Sequence, residues 1–405
     1  MNILMLTPYL PYPPASGGQI RTHYLLKYLA RNHSITLVAL YKDEDEKEKQ
    51  YAKHLSSYCS EIHLCKRASK PWKPSIIAKA AFTNQPFLIV RNYSKEAAEK
   101  IKTLLQERTF DVIHAETFYI MPHIPKTSTP ILLVEQTIEY KVYQHFTSSL
   151  PSFLRLPLHI DIIKLKHWEK YYWKKADLVA TVSEFDKNEI KRLAPNIEPV
   201  VIPNGAGDEM FVKDLPEKIL SKPKLLFLGN FFWLQNVEAA TYLIESIYPL
   251  LNDQIPNMEV IIAGQNAEGK IPKSHKKNIK IIDLDPGDAQ IVKKLYRSAT
   301  LFIAPIFGPG GTRLKILASM ASGLPIVSTN VGVQGLGIID GEHAVIAQTP
   351  EEFVSQIQKI LSDPQLYKKI QKNAFDLVSE KFSWESIAKK LENVYRHIIR
   401  KTISN

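Results

Sequence analysis

Cysteine is almost missing from this chain. Two thiols in 405 residues, Cys59 and Cys65, are too few for a disulfide framework and point to a reduced, cytoplasmic setting. Long apolar runs are missing too. Nothing approaches the ~18 consecutive apolar residues that span a bilayer. The opening stretch, residues 1–14, has no basic region ahead of its short apolar run, so it does not read as a signal peptide. No G-x-G-x-x-G fingerprint follows a strand candidate, which argues against a dinucleotide cofactor. There is no G-x-S-x-G element and no cluster with metal-ligand spacing, so neither a cofactor nor a metal is expected. Acid is in deficit: 52 Lys and Arg face 41 Asp and Glu, a net charge of +11. That balance suits anionic partners such as acidic lipid or sugar nucleotides. Nucleic acid would suit it as well, but no recognition motif for it is present.

What is present is alternation. Short apolar runs, at 2–6, 34–39, 111–114, 131–135, 178–182 and 200–202, are separated by helical patterns at 22–32, 95–107, 160–175 and 184–193. A polar stretch without periodicity, 208–222, reads as a linker. A second series follows, with strands at 224–228, 259–263, 279–282, 300–304, 326–328 and 344–347, and helices at 237–251, 289–297, 313–322 and 350–361. Residues 364–401 are nearly all helical pattern. The expectation is an α/β chain of two Rossmann-like domains, 1–207 and 223–383, with a last helix from 384 to 405. In open parallel sheets the ligand sits beyond the carboxyl ends of the strands.

One segment carries most of the chemistry. An apolar strand runs into Gly308-Pro309-Gly310-Gly311-Thr312, then a helix with Arg313 and Lys315 in its first turn, closed by Gly323-Leu324-Pro325. Glycines let backbone amides approach a ligand, and a helix N-terminus carries partial positive charge. Two cations there are unfavourable unless an anion joins them, so the segment reads as a site for a phosphorylated ligand. The competing reading is a tight turn followed by two solvated cations.

The order and spacing of several short pieces resemble a family 4 glycosyltransferase of the GT-B architecture. They are Gly17-Gly18-Gln19-Ile20-Arg21, Asp111-Val112-Ile113-His114, Val182-Ser183-Glu184, Ile202-Pro203-Asn204-Gly205, Phe227-Leu228-Gly229 with Trp233 and Asn236, the Gly310–Pro325 segment, and Phe382-Ser383-Trp384. The resemblance implies two domains facing a cleft. The second would hold a nucleotide sugar and the first the acceptor, with the last helix crossing back to the first domain. It also implies a retaining, metal-independent transfer to a glycan or lipid-linked acceptor in cell-surface polysaccharide synthesis. Three positions depart from the family pattern. Gly310 and Ala318 stand where two glutamates are common, although Gly311-Thr312-Arg313-Leu314-Lys315 looks like a G-x-R-x-K branch. Gln136 stands where a histidine is frequent.

On that reading Gly17, Gly18, Arg21, Gly229, Gly310, Gly311, Thr312, Arg313 and Lys315 hold the donor. Arg313 and Lys315 neutralise the leaving diphosphate, as fixed charges do for developing anions. His114 is the candidate titrating group near neutral pH, against a satisfied buried histidine. Glu135 joins it as a catalytic candidate, and Glu116, Gln136 and Glu139 orient the acceptor. Ala318 falls on the apolar stripe of its helix. Asp283-Leu284-Asp285 has D-x-D form, yet Pro286-Gly287 follows at once, so a strand-ending turn is the simpler reading. Two rivals stay open: a catalytically impaired binding protein of the same fold, and a nucleotide-sugar epimerase.

Residues 150–175 mix Trp168, Tyr171, Tyr172 and Trp173 with five lysines, and a basic run with Trp72 spans residues 66–79. Aromatics among cations suit the headgroup region of an anionic membrane. A helix packed on its own sheet is the alternative.

Overall fold

A computed structural model describes residues 1–42, 50–68, 70, 72–255, 257–272, 278–308 and 313–404. The chain forms two compact units. Residues 1–203 and 387–405 make the first, and residues 204–386 the second.

The first unit is built on a seven-stranded sheet: β1 (Asn2–Thr7), β2 (Ser34–Lys42), β3 (Glu61–Arg67), β4 (Val112–Glu116), β5 (Ile131–Glu135), β6 (Leu178–Thr181) and β7 (Val200–Val201). All pair in parallel, in the order β3-β2-β1-β4-β5-β6-β7. The central strands β1, β4 and β5 are buried along almost their whole length, as a sheet covered on both faces requires. Their connections are helices, among them Gly17–Leu29, Lys95–Glu107, Glu139–Ser148, Ser152–Lys175 and Glu184–Leu193. Ser94 and Ser183 cap two of these through their side-chain oxygens.

The second unit carries six parallel strands: β8 (Lys224–Leu228), β9 (Glu259–Gly264), β10 (Ile279–Asp283), β11 (Leu301–Ala304), β12 (Ile326–Ser328) and β13 (Val345–Ile346), ordered β10-β9-β8-β11-β12-β13. The helix Leu314–Ala321 follows β11. Pro350–Ser362 opens with a capping box from Thr349 and Glu352, and Pro364–Lys381 is capped by Asp363. The last helix is Trp384–Ser404.

Several expectations need correction. The stretch read as a linker, 208–222, is part of the second unit. Met210 joins the core, Val212 N donates to Ala321 O, and Gln371 donates to Pro216 O at 2.9 Å. A polar stretch can be fixed in this way by tertiary hydrogen bonds that leave no periodicity. Strand β3 was not anticipated, because an edge strand with charges on it alternates weakly. The helix expected at 237–251 starts at Leu234 and is interrupted by a π-turn at Leu243–Ile247 ahead of Pro249. Gly17 and Gly18 open a helix rather than forming a loop. Cys59 and Cys65 are separate buried thiols, both pushed up to about 12 by burial. Among the described residues no helix is long and apolar enough to cross a membrane.

Candidate functional site

In the second unit the carboxyl ends of β8, β9 and β11 converge on Lys315. Its ammonium donates to Asn236 Oδ1 at 2.6 Å and lies 4.9 Å from the centre of the Phe227 ring. Asn236 donates in turn to Asn230 O at 2.7 Å, and Asn230 to Gln265 Oε1 at 3.0 Å. The loops after β8 and β9 are therefore tied to the helix after β11 through one lysine. Burial, and then the charge of Arg313, push Lys315 down to about 7. Arg313 is the residue before the helix, not in its first turn, and donates through Nη2 to Gly308 O at 2.5 Å. One guanidinium and one ammonium thus stand at the positive end of a helix, and the charge of Arg313 weakens the hold of Lys315 on its proton.

The backbone beneath this pair is crowded. A Cβ on Gly264, which has φ of +149°, would lie 1.6 Å from Gly229 O, and one on Gly229 would meet Lys315 Nζ and Asn236 Cγ at 3.1 Å. Gly229 thus brings main chain, not side chain, to the cations. Phe232, Trp233 and Phe307 stand exposed on the same loops. Gly310, Gly311 and Thr312 lie outside the described residues. Ala318 is only partly buried, at the margin of the core that encloses Leu317 and Ala321, so the apolar stripe is thinner at that position than the pattern suggested. Asp283 ends β10, and Asp288 closes the turn that Asp285 begins. Among the described residues no three His, Cys, Asp or Glu side chains are grouped to hold a metal.

The first unit holds a buried polar chain at the carboxyl ends of β1, β4 and β5. His114 Nδ1 is 2.5 Å from Tyr395 Oη on the last helix, and His114 Nε2 is 2.9 Å from Glu116 Oε1. An ionised carboxylate only accepts, so Nε2–H donates to Glu116 and Nδ1 takes the tyrosine proton's hydrogen bond. Gln136 Nε2 lies 2.6 Å from both Glu116 Oε2 and Tyr9 Oη. Arg21 Nε stands 3.5 Å from Glu116 Oε1, while Nη1 donates to Ile202 O and Pro203 O at 3.0 Å each. Burial opposes ionisation of Glu116, but the His114 hydrogen bond and the Arg21 charge outweigh it and hold its carboxyl below the usual range.

This arrangement corrects three assignments. His114 has no accessible surface and both ring nitrogens are engaged, so it has no nitrogen free to carry a substrate proton. Arg21 has none either: its guanidinium braces Glu116 and the end of β7 instead of reaching a donor. Glu135 is wholly buried, accepts from the Trp173 indole at 2.7 Å, and is pushed up to about 8 by burial, so it is held protonated at neutral pH. Gly18 packs against this chain: a Cβ there would meet Tyr9 Oη at 2.5 Å and Gln136 Oε1 at 2.7 Å. Gly17 is exposed at the start of its helix. Glu139 is buried in the same region and is pushed up to about 7 by that burial, against the pull of Arg91. Sequence reasoning passed over Tyr395 and Tyr9, whose partners are far away in the chain. Thr117, directly after Glu116, holds φ of +72°, a strained value for a β-branched residue and one that patterns do not reveal. A cavity of about 620 Å³ near Glu61 and Arg108 opens at the amino ends of the first unit's strands, away from its buried polar chain.

Comparison with known proteins settles the family. The family described as Glycosyltransferase Family 4 matches residues 15–209, and that described as Glycosyl transferases group 1 matches residues 222–363. The chain belongs to the family 4 glycosyltransferases. A Klebsiella pneumoniae relative, named as an uncharacterized 44.6 kDa protein in the cps region, is 26% identical over 95% of this glycosyltransferase and 97% of its own length. Among solved structures, sucrose-phosphate synthase from Thermosynechococcus elongatus superposes with a TM-score of 0.72 at 17% identity, covering 99% of this chain and 100% of that one. Anabaena HepE, solved in complex with UDP and glucose, gives a TM-score of 0.66 at 13% identity, covering 98% and 100%. The fold of the glycosyltransferase is thus that of GT-B proteins: two α/β units, each on a parallel sheet.

Proposed function

We propose that this glycosyltransferase transfers a hexose-type sugar, with retention of anomeric configuration and without a metal, from a nucleoside diphosphate to a glycan or lipid-linked acceptor of a cell-surface polysaccharide. The observation that carries the reading is the Arg313–Lys315 pair at the start of the Leu314–Ala321 helix, with the Lys315 ammonium set over the Gly229 backbone, a concentration of positive charge at a helix N-terminus. The UDP bound by HepE and the cps-region setting of the Klebsiella relative support it. In the transfer, the bond from the anomeric carbon to the diphosphate oxygen breaks as the acceptor oxygen bonds to that carbon. The acceptor proton passes to the leaving phosphate oxygen on the same face, so no side-chain base is required. This fits the engagement of both His114 nitrogens. Arg313 and Lys315 stabilise the charge that grows on the diphosphate. Gln136 and Glu139 are the acceptor-side groups; Glu116, expected among them, is wholly buried and engaged by His114, Arg21 and Gln136, so it holds Gln136 rather than the acceptor. The enzyme is read as cytoplasmic, with a peripheral contact at the inner membrane face.

The test is a thermal-shift panel of UDP- and GDP-sugars. One donor should raise the melting temperature by several degrees, as ligands present at about 100 times Kd do, and Arg313→Ala should remove the rise. A panel with no responder, or a response untouched by Arg313→Ala, rejects the reading. Ala318, without a carboxylate, favours a second reading as a weakened member of the fold. Ala318→Glu distinguishes them: a large gain in donor affinity would mark the natural site as blunted.

A further inference from the structure

Of the aromatics the sequence offers at 168–173, Tyr171 alone is exposed. Tyr172 and Trp173 are core residues, and the Trp168 indole donates to Asn84 O at 2.7 Å. What the Ser152–Lys175 helix turns outward is a different set. Phe153, Leu156, Ile160 and Ile163 are 77, 72, 53 and 60% exposed. Their spacing puts them on one stripe about 15 Å long. Further along the same stripe come His167, Lys170 and Lys174. The inward side carries Ile162, Leu165 and Glu169, so this helix has two apolar faces, and among the described residues only one of them meets protein.

The second basic segment is fixed beside it. Lys164 Nζ donates to Ala80 O at 2.8 Å and Thr83 O at 2.7 Å, which holds the end of the Pro74–Phe82 helix against the longer one. Phe82, 90% exposed, therefore lies next to the stripe, and Trp72, stacked on Phe87 with ring centres 4.9 Å apart, is exposed on the same segment. Charge here has one sign. No carboxylate occurs from residue 62 to residue 95, while Lys73 and Lys79 are exposed there. The two acids of the long helix are spent inward: Asp161 accepts from Phe87 N at 2.8 Å, and Glu169 is wholly buried, accepting from Glu139 N at 2.7 Å.

We propose that this face of the first unit docks on an anionic lipid bilayer, with Phe153, Leu156, Ile160, Ile163 and Phe82 entering the headgroup boundary and the surrounding lysines meeting lipid phosphates. Apolar side chains ringed by cations match that boundary and no aqueous role. A second copy of the chain is disfavoured as the occupant, because face-to-face pairing would oppose lysine to lysine. The inference deepens the lipid-linked-acceptor reading above and rests on it for its purpose, but not for its residues.

Co-sedimentation of the full chain with vesicles tests it. The wild type should pellet with vesicles of equal parts phosphatidylcholine and phosphatidylglycerol and stay in solution with phosphatidylcholine alone. Ile160→Glu with Ile163→Glu should lower partitioning by about tenfold or more. Lys170→Glu with Lys174→Glu should lower it too, and should weaken its dependence on salt. Each variant is first checked for its donor-induced thermal shift without vesicles, which separates misfolding, or failure of the donor reading, from failure of this proposal. A wild type that binds donor yet ignores anionic vesicles overturns it, as does vesicle binding unaffected by the Ile160/Ile163 pair. Concentration-dependent dimers abolished by that pair would give the face to a second copy and overturn it as well.

Discussion

A lysine ammonium held against a phenyl ring and a single amide oxygen keeps its proton poorly, and Lys315 is such a group. Its folded value of about 7 lies below the ordinary lysine range. Above pH 7, up to that range, the unfolded chain holds the proton and the empty folded site does not, so this group's contribution to stability improves as pH rises. A bound diphosphate inverts the preference by drawing the proton back. Donor affinity should therefore be flat below pH 7 and fall above it, by up to about tenfold per pH unit, until the lysine of the complex itself titrates. Calorimetric titrations with donor across about pH 6 to 9 check this, and Lys315→Arg should flatten the profile. A wild-type profile already flat would remove Lys315 from the diphosphate. Arg313 and Lys315 could be picked out of the sequence because glycine punctuation beside a strand marks a carboxyl-end turn. Arg21 and His114 could be noticed but not assigned. Their partners lie 181 and 281 positions further along the chain, and no local pattern encodes such a distance.

Among the elements, the Trp384–Ser404 helix has the widest reach. It supplies Tyr395 to His114, and Glu392 to His33 at 2.8 Å, so β4 and the start of β2 both depend on it. Tyr395→Phe keeps the ring and removes only the hydroxyl, leaving a buried imidazole nitrogen without its donor. It should cost about 1–3 kcal/mol in chemical denaturation, with donor affinity unchanged. A neutral Tyr395→Phe would show that the buried chain tolerates a gap and is no brace. Central elements were readable. Residues 131–135, 95–107 and 184–193 fall where the apolar run and the helical patterns put them. The edge strand β3 and the helices Pro74–Phe82, Phe87–Asn92 and Glu139–Ser148 were not, because short segments rich in Pro, aromatics or charge carry little period.

At the scale of the whole molecule, two separate hydrophobic cores make a single two-state transition improbable on physical grounds. Denaturation followed by intrinsic fluorescence should resolve two steps. A donor that occupies the Arg313–Lys315 site should move one step to higher denaturant and leave the other in place. A single step that moves as a unit would show instead that the cores melt together. The duplicated strand–helix alternation in the sequence already marks two units. Their true seam, at residue 203, and the return of residues 387–405 to the first unit follow from hydrogen bonds between residues distant in the chain.

That return sets an order of events during synthesis. A ribosome releases residues 1–203 while Tyr395 and Glu392 have yet to be translated. The nascent first unit then carries an imidazole, a carboxylate and a guanidinium whose arrangement is still missing its last clasp. The second unit, continuous from 204 to 386, is complete as soon as it emerges. The half of the enzyme made first is therefore the half finished last, and a chain that stops just after residue 386 carries a complete second unit and an unfinished first one.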